Sequence, residues 1–462
     1  MMKRILEPLA LLSSNWIGAL GVLLTTSGAL LWLFMLPTML RGEASNPYMG
    51  ILTFLILPGV FFAGLALMPI GWWWNKRSGG PAHPRSMRSF VIFLAVTTGA
   101  NLLIGSQFTY RAIRHMESVQ FCGLTCHTVM EPEYVAHQNS PHSRVSCTEC
   151  HIGEGADWFV KSKLSGVRQV FAVVLNTYSK PIPTPVHNLR PARETCEQCH
   201  WPQKYGADRL RRIPSFADDE ANTRSDTVLL MHIGGGKNSP GIHGAHLGEG
   251  TVVRYRTGDE KRQSIPWVEI EKNGKKEVFL GAKTNAADAE KLDLRTMDCI
   301  DCHTRPSHTF ELPERALHTA MDRGQVSPAL PFVRKQAVEL LKASYPNSAE
   351  ATRQITDKLK SFYKEKYPTL ATSKKAEIEQ SAGAIVAIWK RNIFPAMNVT
   401  WGAYPNQVGH TDFPGCFRCH DAEHTSKAGN TIQQDCNTCH QLLAMDETSP
   451  KILTELGYPP GK

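Results

Sequence analysis

The stretch FCGLTCHTVM, residues Phe121 to Met130, contains two cysteines, a histidine directly after the second cysteine and a methionine three residues further on. Five other cysteine pairs are also followed at once by a histidine, but two residues separate those cysteines where three separate them here. All twelve cysteines of the 462-residue chain belong to these six pairs: Cys122/Cys126, Cys147/Cys150, Cys196/Cys199, Cys299/Cys302, Cys416/Cys419 and Cys436/Cys439. The histidines that follow them are His127, His151, His200, His303, His420 and His440. One local pattern therefore accounts for every cysteine.

Three kinds of site use cysteine pairs, and the adjoining histidine separates them. A disulfide framework gives no reason for a histidine after every second cysteine. A zinc site combines two pairs, or one pair with spaced histidines, and does not use a histidine that touches the second cysteine. Cys-x-x-Cys-His is the attachment motif of c-type haem, and its histidine is an iron ligand. The pattern predicts six covalently bound haem c groups, or five and a variant at the widened first motif.

The first hundred residues contain three uncharged apolar segments, at residues 17–36, 51–73 and 90–108. Each is about twenty residues long, which is the length that a membrane helix needs. A cleaved signal peptide is the alternative for the first segment, but its apolar stretch is too long and no small-x-small cleavage site follows. We therefore expect residues 1–110 to form a membrane anchor with three transmembrane helices.

Positive charges flank the apolar segments on one side of the membrane. Lys3 and Arg4 precede the first segment, and four basic residues lie in the loop between the second and third segments. By the positive-inside rule both flanks are cytoplasmic. Three crossings of the bacterial inner membrane then place everything after about Tyr110 in the periplasm. No histidine lies inside the three segments, so we expect the anchor to carry no haem.

Histidines outside the six motifs are candidates for the second, distal iron ligand. Eleven of them lie beyond the anchor, which is more than six haems require. We interpret His115 and His318 as surface histidines. The remaining candidates lie close to a motif or in the glycine-rich stretch MHIGGGKNSPGIHGAH, whose backbone can approach a macrocycle closely: His142, His187, His232, His243, His246, His308, His410 and His424. Two axial histidines leave no open iron position, which favours electron transfer over substrate reduction.

The pattern between the motifs predicts modest regular structure. Residues 251–280 alternate apolar and polar side chains around an Asn273-Gly274 turn signal, which indicates a small β-hairpin region. Helical periodicity over residues 331–393, interrupted at Pro346 and Pro368, predicts about three helices.

The predicted fold is a multihaem cytochrome c. Three N-terminal transmembrane helices precede a mainly α, loop-rich periplasmic haem domain. Within that domain, residues 111–310 hold four motifs, and residues 311–462 form a helical segment and a two-haem module.

The formal net charge of +9 does not indicate a nucleic-acid partner. The basic residues of the second half are mixed with comparable numbers of acidic ones, and they form no basic stripe interleaved with aromatic residues. We expect no nucleic-acid binding.

The motifs and their surroundings resemble the NapC/NirT family of membrane-anchored multihaem quinol dehydrogenases. The resemblance runs from about Phe121 to His308, through the first motif with its methionine, SPHSRVSCTECH and CIDCHTRPSH. It is closer to the larger inner-membrane members, with RPARETCEQCHWP, IPWVEI and DFPGCFRCHDAEH as matching stretches. Smaller members have one membrane span and four haems, whereas this sequence predicts three spans and six haems.

The resemblance implies ligands and partners. His308 would be the distal ligand of the second haem, and His142 the distal ligand of another haem in the cluster. In the family, a methionine two residues after the first motif binds the iron beside the quinol site. Here Met130 is three residues after His127 and the cysteines are spaced one wider, so both remain candidate ligands. The implied activity is to take electrons from menaquinol or ubiquinol and to pass them to a periplasmic cytochrome or terminal oxidoreductase.

A quinol site needs polar groups that hold the hydroxyls and accept protons. Glu131, Glu133 and His137 follow the first motif, and Lys161 and Lys163 lie on a predicted helix after the second motif. By resemblance, a lysine near Lys163 lines the quinol pocket. The alternative interpretation is that these charges face the lipid headgroups of the membrane.

Two other functions compete with quinol oxidation. One is a terminal reductase for nitrite, hydroxylamine or a sulfur compound, which requires a haem with an open distal position. The other is an electron-wire subunit without a quinol site of its own. The surplus of histidines argues against the reductase, although the first haem could qualify.

Overall fold

The structure, a computed structural model, describes most of the chain beyond residue 110 and parts of the first hundred residues. The described residues are 16–32 with gaps at 19, 23, 27, 30 and 31, then 55–78, 107, 110–125 except 112, 127–153, 156–186, 189–201, 207–234 and 241–458. The chain divides into two compact units, Met1–Phe121 and Cys122–Lys462. The domain boundary expected at residue 310 stays a prediction.

Among the described residues, one helix is long and apolar enough to cross a membrane, α1 (Leu57–Arg77). It overlaps the second predicted span. Cations stack on tryptophans in its last turns: Lys76 Nζ lies 5.4 Å from the ring centroid of Trp72, and the Arg77 guanidinium lies 5.1 Å from that of Trp73. Such residues mark the boundary between lipid and water at the end of a membrane helix.

The first predicted span is helical wherever it is described, and it packs against α1 through small residues. A Cβ atom added to Gly64 would lie 2.6 Å from the Thr25 backbone nitrogen, and one added to Gly21 would lie 2.9 Å from the Gly64 carbonyl oxygen. Small residues one turn apart let two membrane helices approach this closely. The third predicted span lies almost wholly outside the described residues, so three spans remain a prediction.

In the described part of the second unit, the strands form two antiparallel sheets. Their strand orders are β1-β2-β8 and β6-β3-β4-β5-β7. The strands are β1 (Arg209–Phe216), β2 (Arg224–Met231), β3 (Thr251–Arg256), β4 (Trp267–Lys272), β5 (Lys275–Leu280), β6 (Leu294–Thr296), β7 (Thr425–Ser426) and β8 (His440–Glu447). Because β8 starts at the histidine of the sixth motif, the smaller sheet ties that motif to the middle of the chain.

The predicted hairpin is confirmed, but the β structure extends well beyond it. Lys272 of β4 pairs with Lys275 of β5, and Asn273 and Gly274 between them have φ values of 51° and 79°. Two residues with positive φ form the turn whose twist matches a two-residue hairpin. The prediction of only a small β-hairpin region was wrong in extent. The β2–β8 pairing joins segments about 219 residues apart, a contact that local periodicity does not reveal.

Short helices carry the motifs, and longer helices form a bundle without cysteines. The helices after residue 118 are α2 (Val119–Leu124), α3 (His127–Gln138), α4 (Cys147–His151), α5 (Ala156–Val174), α6 (Ala192–Cys196), α7 (Gly241–Leu247), α8 (Ala286–Ala289), α9 (Cys299–Cys302), α10 (Pro313–Asp322), α11 (Val333–Lys342), α12 (Ser348–Lys366), α13 (Pro368–Ser373), α14 (Lys375–Asn392), α15 (Cys436–Cys439) and α16 (Lys451–Glu455).

The helices α10–α14 enclose the largest apolar core, in which Leu317, Leu341, Ile355 and Trp389 are fully buried. Four helices replace the three predicted over residues 331–393. Pro368 opens α13 as the sequence predicts, because its missing N–H costs nothing in a first turn. The extra boundary lies at Lys374, whose backbone (φ −114°, ψ 28°) is not helical and separates α13 from α14.

Candidate haem sites

In the five motifs with two residues between the cysteines, the backbone makes one turn, α-helical, 3₁₀ or irregular, from the first cysteine to the histidine. Helices α4, α9 and α15 start at the first cysteine of their motifs, α6 ends at Cys196, and a 3₁₀ turn holds the fifth pair. In four motifs the histidine N–H donates to the carbonyl oxygen of the first cysteine: His200, His303, His420 and His440. Residues three apart in one turn lie on the same face. Both sulfurs can therefore face one macrocycle with the histidine beside them.

The third motif forms a turn, not a helix, between its two cysteines. Because α6 ends at Cys196, Cys199 lies beyond the helix in a turn, where its N–H donates to the Cys196 carbonyl oxygen at 3.1 Å. The Cys199 side chain is exposed. Haem attachment at Cys199, as at the other motif cysteines, stays a prediction. Among the described cysteines, four are exposed: Cys150, Cys199, Cys416 and Cys436.

The first motif departs from this backbone. Cys122 lies in α2, whereas His127 starts the separate helix α3, and Cys126 between them is outside the described residues. Gly123 packs directly on the Tyr134 ring, so the two helices meet within this motif. Met130 is half-buried on α3, one turn beyond His127. The additional residue thus breaks the single turn on which the other motifs are built.

Successive motifs are neighbours in space. Cys122 shares a side-chain hydrogen bond with Cys147, and Cys196 shares one with Cys299. Electrostatic interaction also links the second motif to the third, between Cys150 and the pair Cys196 and Cys199. Cys302 of the fourth motif interacts in the same way with Cys416 of the fifth. Cys416 in turn interacts with Cys439 of the sixth motif. None of the eleven cysteines in the described part of the chain forms a disulfide. The motifs therefore form a continuous series in chain order.

Four of the motif histidines face a second histidine across a similar gap. The ring centroids are 6.2 Å apart for His151/His308, 6.0 Å for His142/His200, 5.8 Å for His246/His420 and 6.3 Å for His410/His440. Two imidazoles on opposite sides of one iron have centroids about 6 Å apart, since each metal–nitrogen bond is about 2 Å and each centroid lies about 1 Å behind its nitrogen. The residues present therefore fit bis-histidine haem.

Hydrogen bonds orient several of these rings. The Nδ1 atom of His308 is 3.0 Å from the Glu133 carbonyl oxygen, that of His246 is 2.7 Å from the Ile242 oxygen, and that of His420 is 2.9 Å from the Gln433 oxygen. Donation from Nδ1 to a carbonyl fixes the tautomer and leaves Nε2 to bind a metal. Burial lowers the pKa of His308 to about 4, so this ring is neutral, which metal binding requires.

The fourth motif has a less complete pair. His303 interacts electrostatically with His243, and the Nδ1 atom of His243 is buried without a hydrogen-bond partner. A buried unpaired imidazole nitrogen is rare in a folded protein and indicates a missing ligand or partner. His243 is thus a candidate for the ligand opposite His303.

His424 does not fit the predicted role of a distal ligand. It is 3% exposed, its Nε2 atom lies 2.8 Å from the Ile265 carbonyl oxygen, and its Nδ1 atom lies 2.9 Å from Asp421. Both ring nitrogens are therefore engaged, which leaves none for iron. Burial opposes ionisation of Asp421, but hydrogen bonds from the His424 ring and from backbone amides lower the pKa of this carboxyl overall. The pair fastens the loop after the fifth motif to the five-stranded sheet.

The other histidines outside the pairs have polar or structural contacts. His232 is 3.0 Å from Asp208, and His187 lies outside the described residues. His318, interpreted from the sequence as a surface histidine, is half-buried against Phe216 and accepts a hydrogen bond from Arg334. Burial, reinforced by Arg334, lowers the pKa of His318 to about 4.

The five residues predicted for a quinol site do not all remain open. Glu133 forms an ion pair with Arg305 at 2.6 Å, and the two side chains are only 12% and 11% exposed. His137 is buried, and both of its ring nitrogens form hydrogen bonds: Nε2 with the Val145 carbonyl oxygen and Nδ1 with the side-chain amide nitrogen of Gln138. Glu131 is exposed on the same helix. Lys161 is exposed and lies over the Trp158 ring, and the Lys163 side chain is outside the described residues.

Arg305 is an organising residue that the sequence interpretation missed. It binds Glu133, donates to the His308 carbonyl oxygen at 2.9 Å, and lies 3.9 Å from the ring centroid of Tyr404. Burial raises the pKa of Tyr404 to about 12, so its hydroxyl keeps the proton that it donates to Ile182. The position of Arg305 between the fourth motif and His308 was the available signal.

Asp301 is the second such residue, and it occupies the variable part of the fourth motif. It is 2% exposed and accepts hydrogen bonds from Tyr255, Arg262 and Arg295. Burial and the adjacent Asp301 raise the pKa of Tyr255. The same carboxylate also closes the capping box of α9 with Asp298. The fourth motif is thus anchored rigidly to the five-stranded sheet.

A cavity of about 520 Å³ lies between the third and fourth motifs. Its wall includes His246, Ile300 and several cationic side chains, namely Arg190, Arg193, Arg262 and Arg295. All four guanidinium groups are already ion-paired, Arg190 with Glu194, Arg193 with Glu197, and Arg262 and Arg295 with Asp301. These carboxylates offset the positive charge of the cavity wall.

Comparisons with known proteins agree with these features. The family model described as NapC/NirT cytochrome c family, N-terminal region, matches residues 84–182. The chain is 40% identical to cytochrome c-type protein ImcH of Geobacter sulfurreducens over 465 residues, which covers 96% of this chain and 92% of that protein. No solved structure matches the chain significantly.

Proposed function

Since the chain belongs to the NapC/NirT cytochrome c family, we propose that it is a membrane-anchored, six-haem quinol dehydrogenase. It oxidises menaquinol or ubiquinol at the periplasmic face of the bacterial inner membrane. It passes the electrons to a periplasmic cytochrome or a terminal oxidoreductase. The family, the apolar helix α1 and the series of neighbouring motifs support this proposal.

The facing histidine pairs carry the proposal, because they would supply two ligands to each iron of the second to sixth motifs. His151 and His308 would hold the second haem, His200 and His142 the third, His420 and His246 the fifth, and His440 and His410 the sixth. His303 and His243 would hold the fourth. His127 or Met130 would hold the first.

When bound, each haem c supplies a one-electron redox centre whose potential the axial ligands set. Two histidines at each of these five sites would leave no iron position open for a substrate, so the sites would serve to relay electrons. The closeness of successive motifs in chain order keeps the sites within range of one another. This arrangement favours a relay over a terminal reductase.

Quinol oxidation also requires groups that hold the hydroxyls and remove two protons. Glu133 is held in an ion pair with Arg305, and both ring nitrogens of His137 are hydrogen-bonded, to Val145 and Gln138. Neither side chain is therefore open to a quinol hydroxyl. Glu131 is exposed on the helix of the first motif and takes this role in our proposal. Lys161 and Lys163 orient the quinol oxygens or stabilise the quinolate.

The test is reduction of the purified full-length protein in detergent by a menaquinol analogue and by ubiquinol, followed in the haem absorption bands. We expect rapid reduction by one of them, and slower reduction in Glu131→Gln and Lys163→Ala variants. Lys342→Ala on α11, which carries no motif, is the control. Lack of reduction by any quinol would eliminate the dehydrogenase. A high-spin centre that turns over nitrite would favour the reductase.

The haem count is tested separately by mass spectrometry of the mature chain. Six thioether-linked haems add six haem masses to the polypeptide. Peptide mapping of the third motif shows whether Cys199 carries a thioether like its partner Cys196. The same measurement shows whether Met1 and the first span remain.

A further inference from the structure

Helix α5, which follows the second motif, exposes an unusual number of large apolar side chains. These residues, with exposed fractions between 56% and 74%, are Leu164, Val167, Val170, Phe171, Val174 and the next residue in the chain, Leu175. At 100° per residue they fall on one continuous face of the helix about 140° wide. The helices α10–α14, by contrast, bury many of their large apolar side chains in a common core.

The opposite face of α5 packs on the protein, and its residues are mostly small or polar. Ser162, Gly166, Ala172 and Val173 are half-buried, and Val173 packs against the apolar cluster that contains Met397. A surface helix of a soluble protein has the reverse arrangement, with its large apolar residues inward. The apolar face of α5 therefore needs an apolar environment outside the folded chain.

The charges on α5 indicate what this environment is. Helix α5 contains three cationic residues and one acidic residue, Asp157 in its first turn. Lys161 and Arg168 are exposed and lie at one edge of the apolar face. Long basic side chains in this position bind the phosphates of lipid headgroups while their stems cover the acyl boundary.

The length of α5 distinguishes lying on a membrane from crossing it. The apolar part runs from Leu164 to Val174. That is roughly half of the twenty or so residues that a membrane-spanning helix needs. A short helix with one apolar face and a cationic edge lies in the plane of the interface.

We propose that α5 is an interfacial membrane helix whose apolar face inserts about 5–10 Å into the outer leaflet of the bilayer. This contact is additional to the membrane-spanning anchor and lies in the haem-carrying unit itself. It holds the second motif, whose His151 precedes α5 by a short loop, at a fixed depth beside the lipid from which a quinol arrives. Arg168 binds the phosphates of anionic phospholipids.

The test uses the full-length haem-loaded protein in nanodiscs of phosphatidylcholine and phosphatidylglycerol that contain a phospholipid with a diazirine in its acyl chain. After irradiation, mass spectrometry maps the lipid adducts. We expect adducts on Leu164–Leu175 at a density at least about fivefold above that on Leu442 and Met445, which are also exposed (49% and 66%) but lie on β8. Residues 57–77 serve as the positive control for bilayer contact.

Two variants sharpen the result. Val167→Ser with Phe171→Ser should lower labelling of this segment severalfold, whereas Leu442→Ser with Met445→Ser should leave it unchanged. Labelling of residues 57–77 without labelling of α5 would overturn the inference, as would crosslinks that join α5 of two copies. The readout does not involve quinol oxidation, so failure of the proposed function and failure of this inference are distinguishable.

Discussion

Replacing Glu133 by glutamine would remove the negative charge that holds Arg305 and the His308 ring in place. The carboxylate lies 2.6 Å from the Arg305 guanidinium and 3.3 Å from the Nδ1 atom of His308. Glutamine keeps an amide oxygen of the same reach, so Arg305 retains a hydrogen bond but loses its counter-charge. His308 retains the Glu133 carbonyl oxygen as the acceptor for Nδ1.

The magnitude follows from the burial of the pair. Both side chains are about nine-tenths buried, so removal of one partner falls between the loss of a charge-assisted hydrogen bond, about 1.5–3 kcal/mol, and the rupture of a buried ion pair, about 3–5 kcal/mol. For Glu133→Gln we expect a loss of about 2–3 kcal/mol in the free energy of unfolding. For Glu133→Ala, which leaves Arg305 unpaired, we expect about 3–5 kcal/mol.

The assay has two readouts on haem-loaded protein in detergent. The unfolding temperature should fall by several degrees. A redox titration should show an upward shift of one haem potential, since a negative charge near the His308 ligand is lost, with the other potentials unchanged. The matched control is Glu131→Gln, which changes an exposed carboxylate two residues away on the same helix and should cost less than about 0.5 kcal/mol. Equal behaviour of the two variants in both readouts would refute the role assigned to Glu133.

Three further predictions test the histidine pairs, the helix pair of the anchor and the fourth motif. The His410 ring faces the His440 ring of the sixth motif, with the centroids 6.3 Å apart. In His410→Ala, one haem should therefore become high-spin in the electronic and EPR spectra. Low-spin spectra in both His410→Ala and the control His232→Ala would contradict the pairing. Gly64→Leu should lower the thermal stability of the membrane-bound protein, since even a Cβ there meets the facing backbone, while Gly59→Leu, with no atom within 4 Å, should not. Asp301→Asn leaves buried cations unpaired and should cost about 3–5 kcal/mol in chemical unfolding, and a loss under about 1 kcal/mol would show that this carboxylate is not a structural hub.

The sequence by itself was sufficient for the features that depend on neighbouring residues. Attachment of haem c needs two cysteines and a histidine within one turn of chain, so the motif identifies it without any tertiary contact. The turn at Asn273-Gly274 and the helix boundary at Pro368 were also predictable, because backbone preferences decide both. The family resemblance rested on the same local stretches and is confirmed by the comparisons.

The tertiary structure alone decided which histidine faces which, and which charged residues are free to react. His424 and His308 both lie within five residues of a motif, yet His424 has both nitrogens engaged by partners that include Ile265, 159 residues away in sequence. Glu133 follows the first motif like an open proton acceptor, but Arg305, 172 residues away, binds it in a buried ion pair. Spacing along the chain carries no information about such partners, because the availability of a ring nitrogen or a carboxylate is set by the atoms packed against it after folding.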